Sequence, residues 1–111
     1  MNHILKCWPG FFDAVDSGDK TFEVRLDDRG FKVGDRLTLR RWQPCSEIKD
    51  GGHYVQRNDL HANVREDGTW SAKPTIAEIR VLITYKMPGG RFGLAPEFCV
   101  LGFVREEVAN A

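Results

Sequence analysis

The sequence predicts a small α+β domain that is mainly β, and three observations support this fold class. Several short stretches alternate apolar and polar residues with a period of two, which is typical of half-buried strands. Helical spacing appears in one early stretch, after Pro9. The connections between the predicted strands are too short for repeated helical crossovers. We therefore expect a small, mostly antiparallel β-barrel with one early helix, rather than a doubly wound sheet.

The first third of the chain is predicted to form a strand, a helix and two further strands. Residues 3–7 form the first strand, and Pro9 suits the first turn of a helix, where its missing N–H is not needed. Gly18 is expected to end this helix, because glycine accepts the left-handed conformation. A strand then starts at residue 20, and residues 33–42 form the next one after a DDRG turn. The helix face expected to be buried carries Phe11, Ala14 and Val15, with Phe12 at its margin.

A long polar segment separates these elements from the last two predicted strands. Residues 43–74 are rich in Gly, Asn and Asp, and we expect an excursion with one irregular hairpin. Residues 75–86 have the strongest strand pattern, and residues 98–105 form a buried final strand. One face of the strand at 75–86 is expected to carry Ile79, Val81, Ile83 and Tyr85.

The composition is that expected of one domain spanning residues 1–111. The chain is 41% hydrophobic and 29% charged, and its 16 basic residues balance its 16 acidic residues. Because the chain has no net positive charge, nucleic-acid binding would require a local cluster of cations. The N-terminal residues resemble neither a signal peptide nor a membrane anchor, so we expect no membrane partner.

The cysteines indicate a reducing compartment and no cofactor. Cys7, Cys45 and Cys99 are odd in number and widely spaced, which argues against a disulfide framework and favours a cytoplasmic location. The spacing of Cys45, His53 and His61 matches no compact zinc site, and a fourth ligand is missing. We therefore expect no metal ion and no other cofactor.

The stretch GDKTFEVRLDDRGFKVGD, residues 18–35, combines dense charge with a strand pattern. Alternation places Thr21, Glu23 and Arg25 on one face, about 6.5 to 7 Å apart along the strand. The opposite face is apolar and is expected to pack in the barrel core: Phe22, Val24 and Leu26. Taken alone, this alternation is more often a solvated face with cross-strand ion pairs, and a ligand-binding cleft is the alternative.

Several short motifs occur in order along the chain. They are His3-Ile-Leu-Lys-Cys-Trp-Pro9, Gly18-x-Lys20-x-Phe22-Glu23-x-Arg25, Asp28-Arg29-x-Phe31-x-Val33-Gly34-Asp35, Leu37-x-Leu39-x-x-Trp42, Phe92-Gly93-Leu94 and Val100-Leu101-Gly102-Phe103. Together they resemble the DUF3850 family, a group of short proteins often found in phages and bacteria. That family is similar to the ASCH domains of the PUA-like superfamily. The resemblance implies a PUA-like barrel with a cleft that takes RNA or nucleosides, and into which the Gly-x-Lys-x-x-Glu-x-Arg segment points.

Under this resemblance the expected ligand-binding residues are Lys6, Trp8, Lys20, Glu23, Arg25, Arg40, Trp42 and Tyr85. Arg25 would bind phosphate or carbonyl oxygens through two N–H groups, and Lys20 would act as a point charge. Glu23 would accept a hydrogen bond from an exocyclic amine. The aromatic side chains of the set would stack on a base.

Three functions are compatible with these residues. The first is binding of RNA or a modified nucleoside. The second is hydrolysis of such a ligand, with Lys20 stabilising negative charge, Glu23 activating water and Thr21 as a further catalytic candidate. In similar proteins that deacylate cytidine, a threonine nucleophile stands where this chain has Glu23, so their covalent route does not carry over. The third function is a protein-binding modulator that uses residues 43–74 as its contact surface.

Overall fold

The computed structural model describes residues 1–56 and 77–106. This part of the chain contains one helix and six strands. In chain order they are β1 (Asn2–Cys7), α1 (Pro9–Asp16), β2 (Phe22–Leu26), β3 (Arg36–Pro44), β4 (Gly52–Tyr54), β5 (Glu78–Pro88) and β6 (Phe98–Arg105). In the described ranges, no helix has the length and apolarity needed to cross a membrane.

The strands form one mainly antiparallel sheet. Its order is β1-β3-β5-β6-β2, and β4 extends it by pairing with β3. β1 and β3 are parallel, and the other pairs are antiparallel. The prediction of a mainly β fold with one early helix is confirmed. The sheet order leaves β1 and β2, which are close in sequence, at opposite ends of the pairing path.

The prediction of a closed barrel is wrong, because the sheet is open between β1 and β2. Arginine side chains cross the gap in place of a strand ladder. Arg25 Nη2 donates to the backbone carbonyl of Lys6 at 2.6 Å, and Arg29 Nη1 donates to that of Ile4 at 2.9 Å. Because guanidinium groups satisfy these edge carbonyls, β1 does not need backbone donors from β2. We call this gap between β1 and β2, with its two arginine bridges, the seam.

One face of the sheet forms the core together with α1. Pro9 stands at the start of the helix and Gly18, with φ +87°, follows its end, as predicted. The packing of the helix differs from the prediction, since Phe12 is fully buried and Phe11 is exposed. Adjacent residues on a helix point about 100° apart, so packing against the sheet decides which phenylalanine is covered. Further core side chains are Leu5, Val15, Phe31, Leu37, Leu39, Ile79, Val81, Ile83, Leu101 and Phe103.

Strand β2 faces the opposite way from the prediction. Its apolar residues Phe22, Val24 and Leu26 are 44%, 48% and 46% exposed, whereas the polar Glu23 is only 4% exposed. The pairing with β6 explains the inversion, because Glu23 lies opposite the buried Leu101. Cross-strand partners share a face of the sheet, so the polar row of β2 lies on the core side. The prediction that its apolar face packs in the core is therefore wrong.

Because the apolar row of β2 is exposed, polar substitutions in this row should change the free energy of unfolding only slightly. We expect Val24→Thr to lower the free energy of unfolding by less than about 1 kcal/mol, because an added hydroxyl there stays in water. The same substitution at the fully buried Val81 should cost about 1–3 kcal/mol, since its hydroxyl would be desolvated. Urea unfolding of both variants measures the difference. Equal losses in the two variants would contradict the observed orientation of β2.

Strand β5 contains an irregularity that changes the predicted position of Tyr85. Ile79, Val81 and Ile83 are buried as expected, but Tyr85 is 64% exposed. Ile83 pairs with Phe103 and Tyr85 pairs with Gly102, so β5 advances two residues while β6 advances one. Such an extra residue turns the following side chains to the other face. The prediction that Tyr85 shares the face of Ile83 is wrong for this reason.

The predicted hairpin in the polar segment is confirmed for the part that is described. β3 continues to Pro44, and β4 folds back on it with Trp42 opposite Tyr54. The two rings pack edge to face with centroids 4.9 Å apart, and Lys6 Nζ lies 4.0 Å from the centroid of the Trp42 ring. These contacts hold the hairpin on the sheet. The remainder of the predicted excursion, residues 57–74, lies outside the described residues.

Candidate functional site

A cleft of about 300 Å³ opens at the seam, between β1, β2 and the start of α1. We call it the seam cleft. Its walls include Lys6 and Cys7 from β1, Trp8 and Phe11 from the helix start, and Glu23 and Arg25 from β2. Val24 and Leu26 also line the cleft, so both the polar and the apolar row of β2 contribute to it.

Glu23 is the buried anion beside the seam cleft. Its Oε1 accepts a hydrogen bond from Lys20 Nζ at 2.6 Å, and its Oε2 accepts one from Arg25 Nε at 3.1 Å. The Cys7 thiol also donates to Oε1, at 3.8 Å. The carboxylate is therefore balanced by two cations, which a buried charge requires.

Lys20 is held behind Glu23 by two aromatic rings. Its Nζ lies 5.3 Å from the centroid of the Phe11 ring and 5.1 Å from that of Phe22, within the range of cation–π attraction. Its backbone N–H donates to the carbonyl of Ala14. The side chain is thus positioned to neutralise and orient Glu23, and it does not line the seam cleft itself.

Arg25 joins the seam to the carboxylate. Its Nε donates to Glu23 and its Nη2 donates to the carbonyl of Lys6. A guanidinium group has five N–H donors in a rigid plane, so these two contacts leave other donors available at the cleft wall. Arg25 is consequently fixed in orientation while it can still bind an oxygen of a ligand.

Cys7 is a structural thiol rather than a nucleophile. Burial, together with the nearby Glu23 carboxylate, raises the pKa of Cys7 to about 12. At neutral pH the thiol therefore stays protonated and donates a hydrogen bond to Glu23. Because the thiolate is the reactive form, this cysteine is not suited to covalent catalysis.

The rim of the cleft carries an exposed aromatic pair. Trp8 and Phe11 are 54% and 52% exposed, and their rings lie nearly parallel with centroids 6.1 Å apart. The backbone of Trp8 is fixed, because its carbonyl accepts the first hydrogen bond of the helix from Phe12 N–H. A flat apolar surface of this kind can stack on a planar ligand.

Phe11 is one of the cleft residues that the sequence prediction missed, because helical spacing assigned it to the core. A usable signal was present in the sequence. Trp8 and Phe11 are three residues apart at a helix start, a spacing that places side chains side by side. Burial of the adjacent Phe12 then leaves the pair at the surface.

The other predicted site residues lie outside the seam cleft. Arg40 is on the far face of β3, where its Nε donates to Glu78 at 2.9 Å. Trp42 is buried under Lys6 and Tyr54. Tyr85 is exposed on the outer face of β5. Thr21 precedes β2, and its carbonyl accepts a hydrogen bond from Phe103 N–H.

The structure therefore brings together four of the eight predicted ligand-binding residues in the seam cleft, with Lys20 bonded directly behind them. The four are Lys6, Trp8, Glu23 and Arg25. Of the residues considered for zinc, Cys45 follows β3, His53 is in β4, and His61 lies outside the described residues.

Comparison with known proteins gives the family of the chain. Comparison with curated proteins finds no match. The family model described as "Domain of unknown function (DUF3850)" matches residues 2–103. The matched span contains every residue of the seam cleft named above. The chain belongs to the DUF3850 family.

Proposed function

We propose that the protein binds RNA or a modified nucleoside and holds one base in the seam cleft, as an ASCH-like member of the PUA-like superfamily. The observation that carries the proposal is the exposed Trp8–Phe11 pair beside the Glu23–Arg25 ion pair. A nucleobase has a flat apolar face and a polar edge. The cleft offers a planar apolar surface for the face and fixed polar groups for the edge. The cleft volume of about 300 Å³ lies at the small end of ligand sites, which suits a single nucleoside.

In this proposal, each group of the cleft has a separate task. The base stacks on Trp8, and the free donors of Arg25 bind a carbonyl or phosphate oxygen. Lys6, which is exposed at the rim, adds a positive charge for a phosphate. Glu23 orients Arg25 and keeps the floor of the cleft electrically balanced.

The contacts of Glu23 favour binding over hydrolysis. A general base must accept a hydrogen bond from the water that it activates. Three donors, from Lys20, Arg25 and Cys7, already bond to the Glu23 oxygens and leave about one acceptor position for water. Thr21 does not line the seam cleft either. We therefore propose binding, and hydrolysis would be detected as release of product in the binding experiment.

Trp8→Ala tests the proposal without disturbing the core. We expect this change to weaken binding of the best ligand by about 1–3 kcal/mol, because it removes one base–aromatic stack. The thermal midpoint should stay close to that of the wild type, since the ring is half exposed. Titration calorimetry would use single-stranded RNA, duplex RNA, DNA and free nucleosides.

Phe92→Ala is the matched control, because Phe92 is an exposed aromatic residue in the loop between β5 and β6. It should bind every ligand as the wild type does. Equal affinity of Trp8→Ala and the wild type, or failure of all four ligand classes to bind, would refute the proposal. Release of product that is lost in Glu23→Gln with affinity retained would instead establish a hydrolase.

A further inference from the structure

A second groove, of about 430 Å³, lies on the outer face of β1, β3 and β5, the face that does not pack on the core. We call it the outer groove. Its lining includes Ile4 from β1, the alternating residues Arg36, Thr38 and Arg40 from β3, and Arg80 from β5, together with the carboxylates of Glu78 and Glu106. The known family and the proposed base site leave this groove without a role.

The strand register gathers three arginines around one buried threonine. Arg36 and Arg40 flank Thr38 on β3, each about 6.5 to 7 Å from it along the strand. Arg80 lies directly opposite Thr38 on β5. Ile79 and Val81 point into the core, so Arg80 points outward into the groove. Three guanidinium groups therefore line one side of the sheet around Thr38.

The charges of these arginines are not equally balanced. Arg36 pairs with Glu106, and Arg40 pairs with Glu78. Arg80 forms no ion pair or side-chain hydrogen bond with any residue in the ranges 1–56 and 77–106. Among the described residues, Arg80 thus has an exposed guanidinium group with no ion-pair partner, and it lies between two arginines that are paired. Guanidinium groups bind phosphate through two parallel hydrogen bonds, so an oxyanion is the ligand that this site fits.

Strand β1 connects the outer groove to the seam cleft. Lys6 is at the rim of the cleft, and its partner across the β1–β3 pairing is Arg40. Ile4, two residues earlier, lines the groove. Neighbouring strands are about 4.8 Å apart, so a chain that leaves the cleft over Lys6 reaches the arginines after crossing one strand.

We propose that the outer groove binds backbone phosphates of single-stranded RNA, whose base occupies the seam cleft. The link to the cleft rests on the proposed function, whereas phosphate binding at Arg80 is tested separately. An unpaired strand is required because a base can enter a cleft only when it is unstacked and splayed outward. The ligand is then an oligonucleotide, and a free nucleoside fills only part of the site.

Arg80→Ala tests the groove. Fluorescence anisotropy would follow a labelled eight-nucleotide single-stranded RNA at several salt concentrations, and calorimetry would follow a free nucleoside. We expect the variant to bind the eight-mer about tenfold more weakly, because one charge-assisted contact is lost. The slope of log affinity against log salt should become shallower by about 0.7. Nucleoside affinity should not change.

Two matched variants accompany this measurement. Arg80→Lys should keep the salt slope, because a lysine still provides a positive charge, but should lose part of the affinity, because an ammonium group cannot form the two parallel hydrogen bonds of a guanidinium group. Arg91→Ala removes an equal charge from the loop after β5, and from Arg80 to Pro88 that strand spans roughly 26 Å. It should bind the eight-mer as the wild type does. Thermal unfolding of each variant checks that the fold is intact.

The possible results test phosphate binding at the outer groove and base binding at the seam cleft separately. Wild-type binding of the eight-mer by both Arg80→Ala and Arg36→Ala would overturn the outer groove. Loss in Arg80→Ala without any loss in Trp8→Ala would retain the groove and refute the proposed base site. Equal affinity for duplex and single-stranded RNA would overturn the single-strand requirement. Failure of the eight-mer to bind would overturn the outer groove, whereas the base site in the seam cleft would be overturned only if the free nucleosides also failed to bind.

Discussion

Glu23→Ala is expected to lower the free energy of unfolding by about 3–5 kcal/mol, because it leaves two cations near the core without their anion. Glu23 is 4% exposed, and both Lys20 and Arg25 donate to it. A domain of this size loses about 4–8 °C of thermal midpoint per kcal/mol. The midpoint should therefore fall by about 15 °C or more in a calorimetric scan.

Two variants show whether this loss comes from the buried charge. Glu23→Gln keeps the shape and one hydrogen-bond acceptor, so we expect it to be less destabilising than Glu23→Ala. Glu106→Ala breaks the more exposed Arg36–Glu106 pair and should cost less than about 1 kcal/mol. A loss in Glu23→Ala no greater than in Glu106→Ala would mean that the anion contributes nothing to the fold.

Replacing Arg25 and Arg29 together with alanine is expected to cost about 3 kcal/mol. The double variant removes both arginine bridges across the seam and one of the two cations bonded to Glu23. Hydrogen bonds from charged donors contribute about 1.5–3 kcal/mol each, and the exposure of Arg29 places its share at the low end. Urea unfolding measures the sum.

The single variants and a control show how much each arginine contributes to the loss in free energy of unfolding. Arg25→Ala should account for most of the loss, because Arg25 is partly buried and contacts both Glu23 and β1. Arg91→Ala, at an exposed loop position, should change the free energy of unfolding by less than about 0.5 kcal/mol. If the double variant is no less stable than Arg91→Ala, the arginine bridges do not hold the edges of the open sheet together.

The local elements of the fold were predictable because their signals are local. Pro9 and Gly18 mark the ends of the single helix through their own backbone preferences. Period-two alternation located β2 and β5, and the polar, turn-rich composition of residues 43–74 indicated a hairpin in that segment. The family was recognisable from the motifs around Glu23 for the same reason.

The candidate site was predictable only in part. Alternation placed Glu23 and Arg25 together on one face of β2, and the structure keeps them together in the seam cleft. The helical spacing after Pro9 could not indicate that Phe11 would be exposed beside Trp8, because its exposure depends on which phenylalanine ring packs against the sheet. The charge of Lys20 was evident, but its position behind Glu23 depends on two aromatic rings from separate elements.

The sequence by itself determined the type and order of the elements, because helix ends and strand periodicity depend on neighbouring residues. Only the tertiary structure decided which face of β2 is buried, since alternation is the same whichever face meets the core. The register of β6 made that choice by placing Leu101 opposite Glu23. The open seam between β1 and β2 was also decided by the tertiary structure, because Arg25 and Arg29 bind β1 carbonyls that are distant in sequence.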